Sequence, residues 1–153
     1  YRAAASRVNG ALAPPAGKCA ASQRGAKMIF CQPFPALWRI GARLIPTGPR
    51  PTGEVGSRVL TVEDYAQRAG AAFEKQGFFE GEVSRRLERF GSIAHIFSTY
   101  ESRHAKDDAK PFQRGINGIQ LMNDGKRWWI VTIFWQGEDE KNPLPAEYLR
   151  SRN

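Results

Sequence analysis

A chain of 153 residues with 41% hydrophobic content can bury one core without disulfide or metal staples, so a single domain is expected. Its longest apolar runs, WWIVTIFW and IAHIF, are strand-sized, which excludes a membrane-spanning helix and leaves no membrane partner expected. The net charge of +8 invites a nucleic-acid reading, but residues 1 to 60 carry nine Lys or Arg against Glu54 alone, whereas the rest balances fourteen of each sign. The excess is a basic leader before a neutral module. Without a recognition helix or an aromatic strand motif beside it, nucleic acid is an unlikely partner on these criteria.

The leader also holds both cysteines, Cys19 and Cys31, and seven of the ten prolines. Two cysteines twelve apart, with no His or Cys cluster nearby, match no zinc or redox spacing. They read as free thiols in a reducing compartment, and a cytoplasmic location is the expectation. The stretch YRAAASRVNGALAPPAGKCAASQRGAK has the acid-free Ala, Arg and Ser content of an organelle transit peptide, but it lacks the continuous apolar region of a secretory signal and begins at Tyr1. Residues 1 to 40 are therefore read as a divergent basic segment, partly helical, and residues 41 to 149 as the domain proper.

From residue 42, ARLIPTGPRPTGEVG predicts a short strand and then a loop dense in Pro and Gly. Thr61 can cap a helix with Asp64 three residues on, Leu60 and Tyr65 occupy the staple positions, and Val62, Tyr65, Ala66, Ala69 and Phe73 form one apolar stripe before Gly77. FFEGEVSRRLERF and SIAHIFSTYES alternate at period two and predict two strands joined by a tight turn at Phe90 to Ser92. After the polar loop HAKDDAKP, FQRGINGIQLM meets RWWIVTIFWQG across NDGK, where Asp124-Gly125 marks a two-residue hairpin. A four-strand antiparallel meander follows.

In that hairpin register Leu121 faces Trp128, Ile119 faces Ile130, and Arg114 faces Trp135. One face then carries Ile119, Leu121, Trp128, Ile130 and Phe134, and the other Ile116, Trp129, Val131, Ile133 and Trp135. Helices can cover only one of two apolar faces, so a homodimer paired through the sheet is expected.

The segments GARLIPTG, VLTVEDYAQRA, RRLERFGSIAHIFSTYESR, FQRGINGIQLMNDGKRWWIVTIFW and NPLPAEYL, in this order over about residues 40 to 149, resemble the nuclear transport factor 2-like superfamily. That group includes SnoaL-like polyketide cyclases, steroid delta-isomerases (ketosteroid isomerase-like enzymes), scytalone dehydratase and limonene epoxide hydrolase, and this chain looks most like its uncharacterised bacterial branch. The resemblance implies an α+β fold, a cone-shaped curved antiparallel sheet packed on N-terminal helices, with a cavity for a mostly apolar small molecule. It departs at LAPPAGKCAASQRGAKMIFCQPFPALW, which has a Pro pair and no acid where relatives place an amphipathic helix. That stretch is either a divergent insertion or one read out of the ancestral frame.

The enzymes resembled use a carboxylate or His as general base, without cofactor or metal, beside a donor for the developing oxyanion. Their pocket aspartates have no counterpart here, since Asp64, Asp107, Asp108, Asp124 and Asp139 fall at a helix start, a loop, a turn and a strand end. His95 is the remaining candidate. A three-residue turn at Phe90 to Ser92 places it on one face with Leu87, Phe97, Thr99 and Glu101, giving a base, a donor and an apolar wall, while Tyr100 falls on the opposite face. Either set can line the cavity. His95 and Glu101 are thus the candidate catalytic pair, and Thr99, Phe97, Tyr100, Arg114 and Trp135 the candidate ligand contacts; a core imidazole and a guanidinium packed on indole are the plainer readings. The function expected is a small-molecule pocket protein, as a cofactor-independent lyase or isomerase, or else a non-catalytic ligand-binding or dimeric assembly domain.

Overall fold

The computed structural model describes residues 37 to 150. Cys19, Cys31 and the expected N-terminal helices lie outside the described residues. In chain order the elements are β1 (Trp38–Pro49), β2 (Val55–Ser57), α1 (Val62–Gln76), β3 (Phe79–Phe90), β4 (Ile93–Arg103), β5 (Gln113–Asn123), β6 (Trp128–Gly137) and a short 3₁₀ helix, Ala146–Tyr148. The strands form one sheet in the order β2-β1-β6-β5-β4-β3. Strands β3 to β6 are the expected antiparallel meander, and β1 returns parallel beside β6. The fold class is α+β, as the sequence implied. β1 is longer than the short strand expected, and β2 lies where a loop was expected.

Helix α1 forms as its sequence dictates. The Thr61 hydroxyl accepts from the Asp64 amide at 3.0 Å while the Thr61 amide donates back to the Asp64 carboxylate at 3.3 Å, a complete capping box. Those bonds hold the Asp64 carboxyl below its ordinary pKa. Gly77, at φ 75°, ends the helix, and its amide donates to the Phe73 carbonyl at 2.9 Å. The apolar side of α1, through Val62 and Tyr65, lies on a core of Leu44, Ala94, Ile96, Ile119, Leu121, Trp128, Ile130 and Ile133. This covered side of the sheet is the concave face; the other is the convex face.

Two strand pairs differ from the sequence reading in register, and where the shift is by one residue the side chains change face. The β3–β4 turn is Gly91-Ser92, with Phe90 opposite Ile93, so His95 faces Glu88 while Leu87 faces Ile96 on the other side. The β5–β6 connection is four residues, Asp124 to Arg127: the Asp124 carboxylate accepts from the amides of Lys126 and Arg127 and from the Trp129 indole, an arrangement that favours the longer loop. Leu121 therefore faces Ile130 rather than Trp128. Beyond that pair the register shifts, and Val131 is the residue without a partner, so Ile130 and Ile133 both point to the concave face. Along these strands the convex face carries Ile116, Met122, Trp129 and Phe134, while Ile133 and Trp135, expected beside Ile116, lie on the concave face.

Candidate functional site

The concave face is apolar at one end and polar at the other. Ile96, Ile119 and Ile133 form its floor, each almost fully buried. From α1, Tyr65 sets its ring edge against Trp135 at 5.5 Å and lies 6.5 Å from Phe73, which stacks on Phe78 at 4.1 Å. Toward the polar end, successive cross-strand positions carry Ser98 opposite Asn117, Tyr100 opposite Gly115, and Ser102 opposite Gln113.

Strand β3 brings two carboxylates to this face. Glu82 pairs with Tyr100 and Glu80 with Ser102, but the next pair is Ser84 with Thr99, so Val83 is an extra residue in the ladder. Counting back from the Gly91 turn without that bulge puts Glu82 opposite Glu101 and both carboxylates on the convex face. The bulge re-aims them into the cone. The Glu80 carboxylate accepts from the Asn117 amide and the Ser102 hydroxyl, each at 3.4 Å. Glu82 accepts from Ser98 at 2.7 Å and is ion-paired with Arg85.

Two phenols complete the polar end. Burial first, and then the negative charge of Glu80, push Tyr65 up to about 12 and raise Tyr100 well above an ordinary tyrosine. Both stay protonated at neutral pH and can donate a hydrogen bond. The Tyr100 hydroxyl fits because residue 115 is glycine: a Cβ there would stand 2.6 Å from it and press on the Gln136 carbonyl. The set has the parts of an acid–base site, a held carboxylate beside neutral donors over an apolar floor.

The sequence-predicted residues divide between the two faces. Trp135 and Tyr100 are on the concave face. His95, Phe97, Thr99 and Glu101 do share one face, as expected, but it is the convex one, away from α1. His95 is exposed there with its ring edge 5.2 Å from Phe97, and Leu87 is not its neighbour on that face. The Thr99 hydroxyl donates to the Tyr148 carbonyl at 2.6 Å, and Glu101 is paired with Arg103 at 2.7 Å. Arg114 does not face Trp135; it is opposite Glu101 and holds Glu138 through two hydrogen bonds, which raise the Arg114 pKa and lower that of Glu138. The expected cluster around His95 thus lies outside the cone, because the face under α1 is set by Ile96, Ser98 and Tyr100. Sequence reasoning missed Glu80, Glu82, Ser98, Ser102, Asn117 and Tyr65. Their only trace was Glu-Gly-Glu at period two, which alternation alone reads as solvated.

Among the described residues, no group of three His, Cys, Asp or Glu side chains converges as a metal site, and no helix is long and apolar enough to cross a membrane. Near the β4–β5 loop, Pro111, Phe112, Gln113, Arg114 and Glu138 line an open cleft of about 280 Å³. Gln113 is the cross-strand partner of Ser102, so the cleft borders the polar end of the sheet.

No protein-family model matches the chain, and no curated protein matches it. Among solved structures, a protein of unknown function with a cystatin-like fold from Nostoc punctiforme aligns over 69% of this chain and 74% of its own, with a TM-score of 0.51 and 11% identity. The four-strand meander, the parallel return of β1 beside β6 and the helix across the concave face complete the arrangement. The chain shares a cystatin-like fold with that protein. Two solved structures described as NTF2-like proteins of unknown function align at lower scores: one from Shewanella baltica, with a TM-score of 0.43, 8% identity and coverage of 68% of this chain and 74% of its own, and one from Methylobacillus flagellatus, with 0.45, 10%, 68% and 73%. At such identities the likeness concerns the backbone path, and chemistry has to be argued from side chains.

Proposed function

We propose that this protein takes a small, mostly apolar molecule into its cone and moves a proton on it, with Glu80 as the base and Tyr100 or Tyr65 as the donor to the developing oxyanion. One observation carries this reading: the Glu80 carboxylate is held by Asn117 and Ser102 near the buried phenol of Tyr100 and the half-buried phenol of Tyr65, on the face that α1 covers. The reaction class is a lyase or isomerase step next to a carbonyl, in which the carboxylate takes the proton and the phenol stabilises the enolate oxygen.

The test is hydrogen–deuterium exchange at the carbon beside the carbonyl in a panel of cyclic and polycyclic ketones, followed by NMR. Wild-type protein is expected to accelerate exchange of at least one ketone, and Glu80→Gln to slow it by about a hundredfold or more with binding retained.

A second reading rests on the saturation of the same groups: Ser98, Glu82 and Arg85 satisfy one another, as do Glu80, Asn117 and Ser102. A cone with its polar groups so engaged suits a non-catalytic ligand-binding or assembly domain. Binding without exchange in the wild type would decide for it. We further propose that two copies pair across the convex face, where Phe97 and Phe134 are 39% and 50% exposed on either side of Gly118.

A further inference from the structure

The end of the sheet that carries both hairpin tips has a composition that neither the cone nor the Phe97 patch uses. Phe90, Ile93, Met122 and Trp129 are consecutive cross-strand partners on β3, β4, β5 and β6, one apolar row along the rim of the convex side. Phe90 is 83% exposed and Ile93 61%. The next row inward, Glu88, His95, Gln120 and Thr132, is polar, so the rim row is separate from Phe97 and Phe134. The tips also bear positive charge. Arg127 lies over the Trp129 ring at 4.2 Å, Arg89 over the Trp128 ring at 4.9 Å, and Lys126 is exposed between the strands they join. The nearest acid in the turn, Asp124, has its carboxylate occupied by the turn amides and the Trp129 indole.

The chain also reaches the sheet at this end. The Leu37 carbonyl accepts from the Ile130 amide at 2.8 Å, one row in from the rim, and the sequence before it carries Arg2, Arg7, Lys18, Arg24 and Lys27 with no acid. An exposed apolar row edged by cations, in a chain whose excess charge is positive, matches a surface that is apolar inside and negatively charged outside. We propose that this rim docks the protein on an anionic lipid bilayer, with Phe90 and Ile93 entering the headgroup boundary and Arg89, Lys126 and Arg127 meeting the lipid phosphates. A single-stranded nucleic acid fits less well: Ile93 and Met122 offer no flat ring for stacking, and an arginine already lies over each indole. The absence of an apolar run long enough to span a bilayer bears on spanning alone and leaves surface docking open.

The test is co-sedimentation of the full chain with vesicles of phosphatidylglycerol and phosphatidylcholine, against phosphatidylcholine alone. Binding to the anionic vesicles only, weakened by salt, is expected; Phe90→Ser with Ile93→Ser should weaken it by about tenfold or more, and Arg89→Gln by about fivefold. Should the double variant not fold, lipids brominated in their acyl chains decide the matter with wild-type protein: they should quench tryptophan fluorescence, and less so in Trp129→Phe. Undiminished binding of a folded double variant, absence of quenching, or affinity for a single-stranded oligonucleotide with none for vesicles would each overturn the proposal.

Discussion

Glu80 stands opposite Ser102 across the β3–β4 ladder, on the concave face, because Val83 takes no partner of its own. The bulge sets the chemistry of the cone. Every residue from Phe79 to Glu82 is shifted by one against the count from the Gly91 turn, and at period two a shift of one changes the face.

The charge of Glu80 should be visible in the two phenols it faces. Replacing it by Gln removes the electrostatic part of their displacement and leaves the larger part due to burial, so ultraviolet titration should show Tyr65 and Tyr100 ionising at lower pH than in the wild type, yet still above 10. The sign for stability follows: with phenol pKa values higher folded than unfolded, the native state binds more protons between the ordinary value of 10.0 and about 12, and stability falls as pH rises through that window. Urea midpoints across alkaline pH measure this, and the decline should be shallower in Glu80→Gln.

Gly115 is a packing requirement of Tyr100. A Cβ there meets the Tyr100 hydroxyl, the Gln136 carbonyl and, at 2.8 Å, the Cα of Gly137, two of them backbone atoms that cannot swing aside. Gly115→Ala should cost about 1–3 kcal/mol, the usual range for overpacking, by chemical denaturation. Gly81→Ala on the exposed part of β3, where an added Cβ meets nothing within 4 Å, is the control and should change stability by less than about 0.5 kcal/mol.

The segment around Tyr148 is clasped to the convex face, with two hydroxyls on one carbonyl. Ser84 and Thr99 both donate to the Tyr148 oxygen, Arg86 lies over the Tyr148 ring at 4.1 Å, and Thr99 is 1% exposed. Thr99→Val and Ser84→Ala should each cost about 1 kcal/mol, and the double variant more than the sum, because only then does the carbonyl lose both donors. A double-mutant cycle in urea reads this directly; strict additivity would mean that the two bonds are independent.

Pairing across the convex patch predicts a mass of two chains in light scattering at micromolar concentration. Phe97→Asp together with Phe134→Asp should bring it to one chain without loss of helix or strand signal in circular dichroism. A wild-type monomer at that concentration would remove the pairing proposal and leave the cone reading untouched.

Local rules and period-two alternation carried much of the fold. Thr61, Asp64 and Gly77 mark the ends of α1 by bonds made within a few residues, and the meander follows from alternation and turn chemistry that need no knowledge of distant strands. That His95, Phe97, Thr99 and Glu101 share a face was equally legible, since neighbours two apart on one strand cannot do otherwise. Which face receives α1 was not. It depends on how Ile96, Ile119 and Ile133 meet across three strands, which the unpartnered Val131 decides, while the unpartnered Val83 decides the face that Glu80 and Glu82 take. A bulge has no composition of its own, because either strand of a pair can absorb the extra residue at many positions for similar energy until the core selects one. The sequence by itself therefore determined α1, the four strands of the meander, their order and the α+β class, while tertiary packing alone decided β2 and that Glu80, Asn117 and Tyr100 face the interior and His95 faces away.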